Sequence, residues 1–147
     1  MNETLNRIRT SVRSVYGLSN LDEWITKNTK LAGKPYSFTD YEYQIPIIRD
    51  EAKKSIIVKP AQVGLSELAY RWAVASCCVV EAFTCIYIFA TTTDAERNNK
   101  TRIDPMIAES AELRRLVSTN INNSEMKQFG RNSFLMFRGT KSARAAL

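Results

Sequence analysis

The stretch Ser55–Ser66, SIIVKPAQVGLS, opens on a strand-like run and is followed by two other patterns, and together they leave few folds open. Ser55–Val58 is a short apolar run rich in β-branched residues and bounded by Pro60, the signature of a buried strand. Over Ser66–Phe83, Leu68, Ala69, Trp72, Ala73, Ser76, Val79, Val80 and Phe83 form a wide apolar helical face. Thr84–Ala90 is a second β-rich run with no polar alternation, as expected for a strand covered on both faces. Strand, helix and strand at this spacing predict a right-handed βαβ unit within an α/β fold whose sheet is mostly parallel.

The apolar segment Ala73–Ala90 approaches the length of a membrane span, but Glu81 sits in its middle. Ala, Val and Cys dominate before Glu81, and β-branched and aromatic residues after it. A buried helix running into a buried strand accounts for that change, and no membrane association is expected. The 147 residues suit one domain with a genuine core. Three cysteines, an odd number with Cys77 and Cys78 adjacent, do not make a disulfide framework, which points to a reducing, intracellular compartment. The absence of His excludes His ligands and His general bases.

Upstream, Leu5, Ile8, Val12 and Val15 fall on one face of a helix over Glu3–Tyr16 that Gly17 ends. Ser19 is the expected N-cap of a second helix, with Asp22 three residues on and Leu21, Trp24 and Ile25 as its apolar side. Leu31–Asp40 reads as loop, and Pro46 implies a further helix starting near it. Downstream, Asp94–Val117 reads as helix split at Pro105. Met126–Phe129, the turn Gly130-Arg131-Asn132 and Ser133–Arg138 then read as a hairpin.

A phosphate-binding loop needs backbone N–H groups around a concavity, a helix N-terminus behind them, a cation, and a hydroxyl for Mg²⁺. Aligned with the usual G-x-x-x-x-G-K-[ST] pattern, the chain reads Lys59-Pro60-Ala61-Gln62-Val63-Gly64-Leu65-Ser66. Gly64 suits the tight approach, and Ser66 suits both the metal-ligating hydroxyl and a first helical turn. Leu65 occupies the usual lysine position and Lys59 the first glycine position. On spacing alone, a plain strand-to-helix connection with a solvated Lys59 competes with this reading.

The loop KPAQVGLS resembles the deviant Walker A loop of the large terminase subunits of tailed bacteriophages, some of which carry the lysine at the front. An ammonium on a flexible stem can reach phosphates from either end of such a loop. LDEWITKN, with Trp24, resembles the helix before the family's ATPase core. FTDYEYQIPIIRD resembles its adenine-contacting segment, which implies Gln44 on the base edge and Tyr43 stacked against it. IYIFATTTDAERN resembles the strand and Thr-rich loop that contact DNA or couple to ATP in such motors. A turn and N-cap at Thr91–Thr93 is the plainer reading. QFGRNSFLMFRGTKSA resembles the hairpin ahead of the family's acidic strand.

The resemblance implies a P-loop NTPase-type three-layer fold preceded by N-terminal helices, with residues 1–54 contributing the adenine-contacting segment and 55–147 a partial ATPase core. It implies ATP and Mg²⁺ as ligands. Lys59 would clamp the β- and γ-phosphates as the catalytic cation, Gln62, Val63, Gly64 and Leu65 would line the phosphates, and Ser66 would hold the metal. Double-stranded DNA, the small terminase subunit and the portal are the implied partners, in the cytoplasm of a bacterial host. The family's Asp-Glu strand is not found before Leu147, so the chain reads as truncated before the Walker B strand and inactive alone. A helicase-like or restriction-type translocase ATPase, and a non-catalytic nucleotide-binding or interaction domain, are the alternative readings.

From Lys100 to Leu147 nine Lys or Arg face four Asp or Glu, against three and four over Ser55–Asn99. The uneven balance is compatible with a polyanionic partner, although on charge alone a solvated basic surface is the plainer reading.

Overall fold

The structure is a computed structural model that describes residues 20–50, 52 and 54–140. The helix expected over Glu3–Tyr16 and the Ser19 cap lie outside the described residues. Helix α1 (Leu21–Asn28) follows Asn20 and buries Leu21 and Ile25. The segment read as loop contains a minimal hairpin, β1 (Lys30–Leu31) with β2 (Lys34–Pro35). Ala32 and Gly33 between them both take positive φ, the conformation of a tight two-residue turn. Helix α2 (Gln44–Arg49) carries Pro46 in its first turn, where the missing N–H costs nothing. Buried Asp22 accepts from Arg49 at 2.6 Å and ties α1 to α2.

Helix α3 (Leu65–Val79) leads into β3 (Thr84–Phe89) as expected. No helix among the described residues is long and apolar enough to cross a membrane. Beyond β3, α4 (Thr92–Asn98) runs into a π-helical turn (Asn99–Ile103) and then α5 (Asp104–Glu109). Pro105 therefore does not split the helix. It sits in the first turn of α5, and the helical path is interrupted at Ser110, ahead of α6 (Ala111–Leu116). Val117, read as helical, starts β4 (Val117–Asn122) instead.

The hairpin of β5 (Met126–Phe129) and β6 (Ser133–Gly139) forms with the expected turn. The main sheet has the order β3-β6-β5-β4. Only β3 and β6 run parallel; β6–β5 and β5–β4 are antiparallel. The α/β class holds, but the sheet is mixed rather than mostly parallel, because β5 pairs antiparallel with both β6 and β4, and β3 with β6 is the parallel pair. Cys85 and Tyr87 align with Leu135 and Phe137 and face the helices. Ile86 and Ile88, on the other face, are 55% and 63% exposed. Among the described residues β3 is thus covered on one face only, and these residues form two layers rather than three.

Ser55–Val58 is not a strand. It lies outside the sheet, with Ile56 and Val58 each 94% exposed. Its β-branched composition is that of a strand, yet composition supplies no neighbour, and an unpaired segment gains no ladder bonds. The βαβ unit expected across Ser55–Ala90 is therefore absent among the described residues.

Helix α3 joins two cores. One face contributes Tyr70, Ala73, Val74 and Cys77 to a cluster with Ile103, Leu113, Phe129, Leu135 and Phe137. Another contributes Leu68 and Ala75 to a cluster with Leu21, Ile25, Tyr36, Phe38 and Ile48. Being apolar around most of its girth, α3 fixes the loop at its N-terminus against both.

Candidate phosphate-binding site

The loop before α3 turns on two left-handed residues, Gln62 (φ 62°) and Gly64 (φ 72°). Gly64 occupies the N-cap of α3, and its carbonyl accepts from the Leu68 N–H at 3.0 Å. A glycine cap has no side chain to cover the first-turn amides, so those of Leu65, Ser66 and Glu67 lack intrahelical partners. They add the positive end of a 15-residue helix to the loop. A Cβ on Gly64 would come within 2.8 Å of the Gln44 Nε2, so close packing and dihedral both require glycine here.

Gln44 is buried and holds the loop in place. Its Nε2 donates to the Val63 carbonyl at 3.1 Å, and its Oε1 accepts from the Tyr36 hydroxyl at 2.9 Å. The Tyr43 hydroxyl donates to the same Val63 carbonyl from an exposed position. The two residues read as base contacts thus both grip the back of the loop. Gln44 also lines a cavity of about 250 Å³ with Tyr36, Tyr41, Gln62, Gly64 and Glu67. Tyr43 is not among the residues lining it.

A second cavity of about 330 Å³ lies on the helix side of the loop. Lys59, Gln62, Gly64, Ser66, Glu67, Tyr70, Asn98 and Arg102 line it. The fold thus brings Lys59 and Ser66, read from sequence, to one concavity. The Lys59 ammonium is exposed, and among the described residues it donates to the Pro60 carbonyl at 3.5 Å. Leu65, at the usual lysine position, packs against the cluster around Leu21 and Ile25. A front-of-loop lysine leaves that position free for apolar packing.

Sequence reading missed the ionic frame behind the loop. Glu67 accepts from the buried Arg71 at 2.5 Å through Oε2 and from Arg102 at 2.8 Å through Oε1. Arg71 also donates to the Lys30 carbonyl at 2.8 Å and lies 4.2 Å from the centre of the Tyr36 ring. The Glu67–Arg71 spacing of four along a helix was a usable signal. Arg102 lies 35 residues beyond Glu67, and only the fold reveals it. Tyr70, which donates to Asn98 at 2.8 Å, has its hydroxyl pushed above the usual range, first by burial.

The Thr-rich segment after β3 acts as a cap. The Thr91 Oγ1 accepts from the Asp94 N–H at 3.0 Å and donates to the Asp94 carboxylate at 2.7 Å. The Thr91 hydroxyl, followed by Arg97, holds the Asp94 carboxyl below its ordinary value. Gly139 packs so tightly on the backbone of Thr91 and Thr92 that a Cβ there would collide with it.

Among the described residues, no three His, Cys, Asp or Glu side chains gather as a metal site. The three cysteines are free thiols. No curated protein and no solved structure matches the chain. Residues 41–146, however, match the family described as Phage terminase large subunit gpA, ATPase domain. The match covers most of the chain and includes the whole loop and both cavities' walls except Leu31, Pro35, Tyr36 and Ser37. On this match the chain belongs to the phage terminase large subunit gpA family, through its ATPase domain.

Proposed function

We propose that the chain is the ATP-binding part of a phage DNA-packaging motor that drives double-stranded DNA into a procapsid. The observation that carries this reading is the convergence of Lys59, Ser66 and the uncapped N-terminus of α3 on one cavity of about 330 Å³. An anionic, phosphate-sized group fits this donor set, because helix amides and a lysine present positive charge with little else to satisfy them. Bound Mg·ATP supplies the phosphoryl group whose transfer powers such a motor.

The chain's own residues then have distinct tasks. Lys59 neutralises phosphate charge from the front of the loop. The amides at Val63–Leu65, with Gln62 and Gly64, shape the cradle, and the Ser66 hydroxyl offers one oxygen to Mg²⁺, an ion that usually keeps phosphate oxygens and waters as its other ligands. The adjoining cavity beside Tyr36, Tyr41 and Gln44 is the place for the base, and it shares Gln62, Gly64 and Glu67 with the phosphate cavity. Residues up to 54 contribute this base-side wall, and residues from 55 the phosphate side. The basic surplus beyond Lys100 supports DNA as the track, and the small terminase subunit and portal as partners follow from the family reading.

The test is direct. Lys59→Ala should weaken Mg·ATP binding by at least about tenfold, the worth of one charge-assisted contact to phosphate. Binding by titration calorimetry that matches the unsubstituted chain would sink the proposal.

A further inference from the structure

We infer that Arg102 is a second phosphate-binding cation of this site, parked on Glu67 and released to the nucleotide's terminal phosphates. The inference rests on the phosphate-loop reading and extends it to a residue outside the loop.

Three observations carry it. Arg102 lines the same cavity as Lys59, Gly64 and Ser66. Its guanidinium is half exposed, so it can turn without leaving a buried charge behind. Its partner Glu67 does not depend on it, because buried Arg71 engages the other carboxylate oxygen at 2.5 Å. Arg71 is only 1% exposed and is fixed by the Lys30 carbonyl and the Tyr36 ring, so it keeps Glu67 neutralised while Arg102 moves. A phosphate competes well for Arg102, since the fork of donors on a guanidinium matches phosphate oxygens as well as it matches a carboxylate.

The backbone supports the same assignment. Arg102 lies within the π-helical turn Asn99–Ile103, between α4 and α5. A π turn adds one residue to the helical path and rotates the succeeding helix by about 100° around the axis. Such turns persist mainly where a side chain's aim is worth the poorer hydrogen bonding. Here Arg102, inside the turn, lines the loop cavity, while Asn99 and Ile103 of the same turn are fully buried.

The experiment titrates the 147-residue chain with Mg·ATP, with a non-hydrolysable ATP analogue and Mg²⁺, and with AMP. Arg102→Gln, Arg102→Lys and Lys59→Ala are compared with the unsubstituted chain, each checked for an unchanged circular dichroism spectrum. Arg102→Gln should weaken triphosphate binding about tenfold and AMP binding less than twofold, and Arg102→Lys should recover part of the loss. A merely structural Arg102 would weaken both ligands alike, and that result overturns the inference. Unchanged triphosphate binding in Arg102→Gln also overturns it, and if Lys59→Ala is impaired in the same series the loop reading survives. If the unsubstituted chain binds no nucleotide, or Lys59→Ala binds normally, the loop reading fails and the inference falls with it.

Discussion

Gly64 combines two demands that only glycine meets. Its φ of 72° disfavours any Cβ, and the space a Cβ would take lies 2.8 Å from an amide nitrogen of buried Gln44. Gln44 cannot swing aside freely, because it is bonded to Val63 on one side and Tyr36 on the other. Gly64→Ala should therefore cost about 2 kcal/mol, from left-handed strain plus the Gln44–Val63 bond, as read by urea denaturation. Nucleotide binding should fall further than Lys59→Ala alone lowers it, since the cradle itself is displaced. An Ala variant with the stability and affinity of the parent would show that the loop does not need this geometry. The glycine and the serine two residues on were legible in the sequence, because dihedral and hydroxyl chemistry are local properties. The grip of Gln44 on the loop was not, because it joins residues 19 apart through a side chain that also reads as a base contact.

At the scale of elements, helices were more legible than strands. The apolar periodicity of α3 and the Leu21–Ile25 side of α1 announced their buried faces, since a helix satisfies its own backbone. Strands depend on neighbours that sequence does not name. Ser55–Val58 and Thr84–Phe89 have similar β-branched character, yet among the described residues only the second has a strand partner, β6, and enters the sheet. The helix after β3 failed at its boundaries for a related reason. Pro105 was legible as a breaker, but a proline in a first turn breaks nothing. The working boundary is Ser110, whose Oγ accepts from the Leu113 N–H at 3.2 Å and donates to the Asn28 carbonyl at 2.5 Å. This one hydroxyl caps α6 and fastens α1 to it. Ser110→Ala should cost about 2 kcal/mol, a cap plus one buried hydrogen bond, measured as a lower denaturant midpoint with unchanged slope. A loss under half of that would mean the α1–α6 bond contributes nothing.

Across the whole molecule, buried acids that stay neutral link stability to pH. Burial first, then neighbouring Cys85, raises the Cys77 thiol from 9.0 to about 12. Cys78 is pushed higher still and Cys85 upward, both mainly by burial, and Tyr87 rises from 10.0 to about 12 for the same leading reason. All four lie in or against the larger core, between α3 and the sheet. Each therefore holds its proton more tightly in the folded chain than in the unfolded one. Below pH 9 both states are protonated and the full stability is present. As pH climbs from 9 toward 12, the unfolded chain sheds protons that the folded chain keeps, and stability drains away. The steepness reflects several groups acting together, so removing one should flatten the decline without abolishing it. Cys77→Ala should lower the denaturant midpoint at pH 8, because a buried sulfur is lost, yet lose less between pH 9 and 11 than the parent does. Equal declines in parent and variant would mean that Cys77 ionises freely and that the core between α3 and the sheet is open to water, contrary to the packing that holds the loop in place.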